Sequence, residues 1–273
     1  MPELPEVETV CRSLRPHLIG RRIERVEVLQ PRLRTTIAPD LPARLRGKII
    51  AAVARRAKYI LIHLEGNVVW LFHLGMSGKL IHVERSSPIR KHDHIIVALD
   101  GGTELRYHDP RRFGLSLVVN QDQLGSLPQL RRLGPDPLDA EFSGARLYAS
   151  TRASERRIRD LLLDQQVVAG LGNIYANEIL FRAGIRPTTR AWRLTRRQVA
   201  AIAAMTPRLL RDAIRWCGTS FSDYRDADDK RGEFQNHLRV YDREGEPCRK
   251  CRVRIKRVAI GNRSAFYCPA CQK

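Results

Sequence analysis

The chain has 273 residues, 43% hydrophobic and 29% charged, which supplies one large core or two ordinary ones and excludes the disordered and fibrous classes. Lysine and arginine number 49 against 29 aspartate and glutamate, a formal charge of +20 that opposes compaction unless a polyanion offsets it. Nucleic acid is therefore the leading partner, although a basic ribosomal protein would carry the same charge. No apolar run approaches the ~18 residues of a membrane span, and Glu3, Glu6 and Glu8 stand where a secretory signal would be basic. The expectation is a cytoplasmic protein without a membrane partner, and, as nothing marks an oligomer, a monomer.

The first element is a helix: Pro5 suits the first turn, Glu6 and Glu8 complement a helix N-terminus, and Val7, Val10, Leu14 and Leu18 form one apolar stripe ahead of Gly20. From Ile23 to about Asn120 the period shifts towards two. Tyr59 to Leu64 and Val68 to Phe72 are strands separated by Glu65-Gly66-Asn67, and Ile95 to Leu99 is a strand closed by Asp100-Gly101-Gly102. Short strands joined by tight turns predict a β-sandwich over 1–125.

Three prolines and two glycines between Gly125 and Pro137 predict a hinge, placed at 126–139. A helical domain follows over 140–240. Ile158, Leu161, Leu162 and Leu163 form an apolar cluster, Gly170-Leu171-Gly172 a turn, and Asn173 stands at the N-cap of a helix from Ile174 to Ala183 that stops at Gly184. Another helix is predicted from Thr195 to about Trp216. Gly218 to His237, with Asp223, Asp226, Asp228, Asp229 and Gly232, is a polar loop.

Residues 241–273 carry the clearest motif. Cys248-x2-Cys251 and Cys268-x2-Cys271, with sixteen residues between the pairs, have the two-knuckle spacing of one structural Zn2+ site. A site closed by four cysteines leaves no open position for catalysis. The stretch between suits a β-hairpin. From Cys248 to Lys273 there are eight basic residues and no acidic one, a phosphate-binding surface.

Pro2 follows the initiator Met1, and so small a second residue predicts removal of Met1 and exposure of a secondary amine. An α-amino group titrates near ~8 and a lysine near ~10.4, so the terminal amine holds far more unprotonated nucleophile at neutral pH. Taken alone, a proline that merely begins a chain reads the same. Its setting is Pro2-Glu3-Leu4-Pro5-Glu6-Val7-Glu8. Further along stand Lys58, the His73 to Gly78 run His-Leu-Gly-Met-Ser-Gly, His92-Asp93-His94, Asp109 to Gly114 (Asp-Pro-Arg-Arg-Phe-Gly), Gly172 to Glu178 (Gly-Asn-Ile-Tyr-Ala-Asn-Glu) and the cysteine ribbon. In content and order these motifs resemble the bacterial formamidopyrimidine-DNA glycosylases over essentially the whole chain.

The resemblance implies an α+β protein of two domains, an N-terminal β-sandwich with a leading helix and a C-terminal helix-two-turn-helix domain with a zinc ribbon, binding double-stranded DNA with oxidised purines between them. It implies a bifunctional glycosylase and lyase of base excision repair, cleaving the strand by β,δ-elimination. Pro2 inherits the nucleophile that attacks C1′ and Glu3 the acid/base at the sugar. Lys58 becomes a proton donor at phosphate, and Arg263 a bidentate phosphate grip linked to δ-elimination. From the residues alone, Lys58 is equally a plain phosphate contact or a solvated charge. Asn173 would aim a helix N-terminus at phosphate. Extruding a nucleotide leaves a hole in the stack, which Met76, Arg111 and Phe113 would fill, with Arg111 facing the orphaned cytosine. His92 and Arg112 would contact phosphate, His94 would be structural, and the 218–237 loop would close over the base. Arg159 stands where relatives carry lysine, so any duty needing that lysine's removable proton is in doubt while phosphate attraction survives. Glu6 and Glu178 match lesion-side carboxylates, or are helix-surface charges.

Two alternatives are separable. A sister enzyme of the endonuclease VIII type would prefer oxidised pyrimidines, against which Leu4 and the Met76, Arg111 and Phe113 set argue. A non-catalytic zinc-dependent DNA-binding protein would be indifferent to Pro2 and Glu3.

Overall fold

The computed structural model describes residues 1–220 and 224–273, so Asp223 of the polar loop lies outside the described residues. These fall into two compact units, Met1–Arg131 with Trp216–Gln235, and Arg132–Arg215 with Asn236–Lys273. Among them no helix is long and apolar enough to cross a membrane.

In the first unit, α1 (Leu4–Leu18) starts from Glu3 as N-cap, whose backbone N–H donates to Glu6 Oε2 at 2.9 Å, the reciprocal device that satisfies orphan donors at a helix start. Val7, Val10, Leu14 and Leu18 are buried along one stripe, joined by Cys11. Then come β1 (Ile23–Val28), the short α2 (Leu41–Leu45), β2 (Ile50–Arg56), β3 (Tyr59–Leu64), β4 (Val68–His73), β5 (Lys79–Glu84), β6 (Asp93–Leu99), β7 (Thr103–His108) and β8 (Leu115–Asn120). They form two antiparallel sheets, ordered β1-β6-β7-β5 and β2-β3-β4-β8. The expected sandwich is present.

The pleat decides which side chains meet. On β3, Ile60 and Ile62 enter the main core with Trp70, Phe72, Ile95, Val97 and α1, whereas Leu61 points to the opposite face with Val69, Leu71 and Leu115. That outer face is covered by Leu124, Leu127 and Leu130. The division between units falls after Arg131, within the 126–139 segment, while Leu124, Leu127 and Leu130, at a three-residue spacing, seal a sheet that would otherwise expose an apolar face.

In the second unit, α3 (Gly144–Arg152), α4 (Ile158–Leu162), α5 (Asn173–Ala183) and α6 (Arg196–Arg215) precede a hairpin of β9 (Lys256–Ile260) and β10 (Arg263–Tyr267). On α6, Val199, Ile202, Leu209, Leu210 and Ala213 supply the buried stripe. α5 stops at Gly184 with φ +73, as expected of a left-handed cap. Its N-cap is Gly172 rather than Asn173, which forms the first helical residue.

The sequence reading put the 218–237 loop with the helical domain, but Trp216–Gln235 belongs to the first unit. The cause is a set of bonds to α1 and β5: Thr219 N–H donates to Glu6 Oε1 (2.8 Å), Tyr224 Oη to Glu6 O (3.2 Å), Ala227 N–H to Ser13 Oγ (3.0 Å), and His82 N–H to Ala227 O (3.0 Å). Some of these partners are more than 200 residues apart, a separation no local pattern encodes.

Candidate active site and metal centre

Pro2 and Glu3 are buried at the start of α1. Met1, Arg34, His73, Gly75, Met76 and Phe113 line one cavity of about 280 Å³ in the first unit, so the chain start shares a recess with two of the expected wedge residues. Met76 and Phe113 are 42% and 47% exposed, large apolar side chains left facing solvent from loops. Lys58 is nearly buried in the turn between β2 and β3, after Ala57 at φ +54. Burial, Lys58 and Arg34 push the His73 imidazole down to about 4, so it is neutral at physiological pH, and its Nδ1 accepts the Gly75 N–H at 3.1 Å.

Asp109 fixes the two loops of this recess. It is fully buried; Oδ1 accepts Ser77 Oγ at 2.6 Å, and Oδ2 accepts Tyr107 Oη at 3.1 Å and Gly114 N–H at 2.9 Å. Ser77 Oγ in turn accepts Arg111 N–H at 3.2 Å. The 74–78 loop and the 109–114 loop are thereby stapled together, with the Arg111 guanidinium stacked 4.7 Å over the Phe113 ring. Gly75 sits at φ +63, and a Cβ there would lie 2.5 Å from the Phe113 backbone, so the approach requires glycine. Asp109→Ala strands three buried donors and is expected to cost about 3 kcal/mol, read as a lowered urea midpoint, together with disordering of the Phe113 loop measured by hydrogen exchange. A variant with wild-type stability would show that the staple carries no load.

His92 and Arg112 line a second concavity of about 540 Å³ with Arg90, Lys91 and His94, a cationic recess suited to phosphate. His94 is buried, its Nε2 bonded to Asp109 O at 2.8 Å, consistent with the structural part expected of it. Glu6 is buried and occupied with the backbone of Glu3 and Thr219, which fits a scaffold carboxylate rather than a helix-surface charge.

In the second unit the four cysteine Sγ atoms lie within 4.8 Å of one another, with Cys251 to Cys268 at 3.4 Å and Cys248 to Cys271 at 4.0 Å. Tetrahedral zinc with bonds of ~2.3 Å separates its sulfurs by about 3.8 Å, so the donor set fits that ion. Backbone N–H groups of Lys250 and Cys271 point at Cys248 and Cys268 Sγ, each at 3.4 Å, which favours thiolate. Arg263 opens β10 and is exposed.

Arg159, expected to retain phosphate attraction, is instead 1% exposed. Its guanidinium donates to Asn173 Oδ1 at 2.7 Å, Ile260 O at 3.2 Å, Ser264 O at 3.4 Å and Asp160 Oδ1 at 3.0 Å. Asn173 Nδ2 also reaches Ser264 O at 3.0 Å, and Asn177 Oδ1 accepts Phe266 N–H at 2.8 Å. Arg159, Asn173 and Asn177 thus dock the hairpin that carries Arg263 onto α5. Glu178 is fully buried and accepts the backbone N–H groups of Arg239, Val240 and Tyr241 at 2.8–3.0 Å; it is no helix-surface charge.

Three family models cover the chain in succession: the formamidopyrimidine-DNA glycosylase N-terminal domain over residues 1–116, the H2TH domain of the same enzymes over 133–225, and the zinc finger found in FPG and IleRS over 245–273. Formamidopyrimidine-DNA glycosylases of Hahella chejuensis and Thioalkalivibrio sulfidiphilus are each 46% identical over 273 residues, spanning 100% of both chains. This chain belongs to the formamidopyrimidine-DNA glycosylase family.

Solved family members share its architecture. The MutM (Fpg) protein of Thermus thermophilus superposes with a TM-score of 0.89 at 38% identity, covering 99% of this chain and 98% of that one. A Lactococcus lactis Fpg variant bound to Fapy-dG-containing DNA reaches 0.93 at 33% identity over 100% of both chains. The wild-type Lactococcus lactis enzyme bound to oxidised-pyrimidine DNA reaches 0.92 at 33%, again over 100% of both. As a formamidopyrimidine-DNA glycosylase the chain is a DNA-repair enzyme, and its four cysteines are one structural zinc site.

Sequence reasoning missed what supports the glycosylase's named residues. Asp109 and Asn177 stand within motifs, but their partners Ser77 and Phe266 lie on other elements, and what lowers His73 is burial with Lys58 and Arg34. His73 also makes stability depend on pH. The folded protein holds it near 4 and the unfolded chain near 6.5, so the unfolded state binds more protons in that window. Its contribution is complete above about 6.5 and is lost as pH falls through about 4, up to about 3 kcal/mol. His73→Asn is expected to flatten the stability profile between those values in denaturant titrations. A profile as steep as wild type would contradict this.

Proposed function

We propose that this glycosylase releases oxidised purines, 8-oxoguanine and formamidopyrimidines, from duplex DNA through a Schiff base at Pro2, and then cleaves the strand by β,δ-elimination. With Met1 removed, the Pro2 nitrogen attacks C1′; the C1′–N bond breaks and the base leaves with a proton. Glu3 handles protons at the sugar, whose ring opens to leave a cationic iminium. That electron sink acidifies C2′, so loss of a C2′ proton expels the 3′ phosphate, and a second elimination expels the 5′ phosphate. Lys58 supplies a proton during β-elimination. Arg263, His92, Arg112 and Asn173 hold phosphates, and Met76, Arg111 and Phe113 fill the vacated stack. Zinc, when bound, supplies no chemistry; it holds the hairpin that presents Arg263.

The observation that carries this reading is the single recess lined by the chain start, His73, Met76 and Phe113. A neutral His73 beside Lys58 keeps that recess from gathering further positive charge against a developing iminium. The test is excision from duplexes carrying 8-oxoguanine opposite cytosine, run beside duplexes carrying thymine glycol. Faster release of 8-oxoguanine supports the proposal. Because a Lactococcus lactis relative has been solved on oxidised-pyrimidine DNA, faster release of thymine glycol would transfer the assignment to that second reading.

A further inference from the structure

The second unit carries a cationic face that neither the zinc ribbon nor Asn173 explains. Between Glu178 and Asp212 the sequence holds eight arginines and no carboxylate. α3 and the 191–193 turn pack together, and α3 packs on α6. There the Arg193 guanidinium stacks over the exposed Trp192 ring at 5.1 Å and the Arg196 guanidinium over Tyr148 at 4.7 Å, while Arg152 donates to Trp192 O. Arg190 and Arg197 flank them, and all five arginines are exposed.

Two features set this face apart from an ordinary solvated surface. The five form no ion pair among the described residues, unlike exposed Arg12 with Glu8, Arg85 with Glu24 and Arg215 with Asp212. Arg196 and Arg197 also occupy the first turn of α6, which has no acidic residue, and its start is closed by Thr195 with Gln198 in place of the usual glutamate. Cations at a helix N-terminus repel its dipole, an arrangement that a bound anion relieves. Stacking on an aromatic ring pins a guanidinium while leaving its N–H edges free for bidentate bonds to phosphate. The ring faces already carry guanidinium groups, which suits a phosphate backbone better than stacked bases or an apolar peptide.

We propose that this arginine–aromatic face is a second DNA contact, gripping the phosphate backbone of a segment other than the one that carries the lesion. The proposal rests on the reading of the chain as a DNA enzyme. The test uses the full zinc-loaded protein, its lesion site filled by a stoichiometric short duplex bearing an uncleavable abasic analogue. A labelled undamaged duplex is then titrated in, and anisotropy is followed across a salt series. Wild type is expected to bind it. The triple variant R193E/R196E/R197E is expected to bind at least about tenfold more weakly and to flatten the log–log salt slope by about 3, near 0.9 per lost phosphate contact. The milder R193Q/R196Q/R197Q guards against charge-induced misfolding and should fall between the two. Both variants should keep wild-type excision on a short lesion duplex. No second binding by wild type, or an unchanged slope in both variants, overturns the proposal. So does polyglutamate binding that the variants abolish while their DNA binding stays intact, which would reassign the face to an acidic protein. Absence of excision by wild type would refute the enzymatic reading and leave the anisotropy result to be judged by itself.

Discussion

Glu3→Gln is expected to lower the rate of base excision by about 10²–10⁴, the range that a positioned proton-transfer group contributes, while hardly altering stability. The two effects separate because the proposed chemistry needs the carboxyl proton, whereas the helix cap does not. The Glu3 backbone caps α1 through the N–H that Glu6 accepts, and a glutamine keeps that backbone, the side-chain volume and a carbonyl acceptor. What glutamine loses is the carboxylate's exchangeable proton. Single-turnover excision of 8-oxoguanine and a thermal melt on the same sample check both halves. A variant within a few-fold of wild type in rate would remove Glu3 from the chemistry and leave it a helix cap.

Removing zinc is expected to unfold the ribbon and abolish tight DNA binding while leaving the β-sandwich folded. The apolar cluster around the ribbon is small, comprising Val240, Ile255 and Phe266 with the cysteines and Phe181. So few buried side chains do not offset the conformational entropy of some thirty residues, whereas zinc contributes about 10–16 kcal/mol to the folding of comparable fingers. Arg263 depends on this support, as does the docking of β10 on Asn173, Asn177 and Arg159. Chelation, or Cys251→Ser, should expose the amides of 245–273 to hydrogen exchange while those of β3 and β4 remain protected. Unchanged protection of the ribbon after metal loss would contradict the zinc assignment as the source of its fold.

Much of this was legible in the sequence, for physical reasons. α1 announces itself through a stripe of valines and leucines at helical spacing, β3 and β4 through β-branched residues around a Gly-Asn turn, and the metal centre through two Cys-x2-Cys knuckles. Each signal is local. Features that depend on distant partners were not readable. Leu124, Leu127 and Leu130 sit among prolines and glycines and resemble linker until the outer face of a sheet needs covering. Glu6 and Thr219 lie 213 positions apart, so the attachment of the 216–235 loop to α1 could not be anticipated. Arg159 reads in the sequence as a departure from lysine that keeps phosphate attraction, yet its four bonds use a planar fork in several directions at once, a geometry an ammonium does not reproduce. Asn173 stands one residue inside the helix because Asn and Gly are both good N-caps, and its side chain bonds Arg159, Ser264 and Asn177.

The proposed nucleophile is the terminal amine of Pro2. Incubating the zinc-loaded protein with a duplex carrying 8-oxoguanine opposite cytosine, reducing with borohydride and mapping the adduct by peptide mass spectrometry tests it in one step. The expected result is a stable cross-link to Pro2 in a peptide that lacks Met1. A cross-link mapped to Lys58 or another lysine, or base release without any trapped adduct, would contradict it.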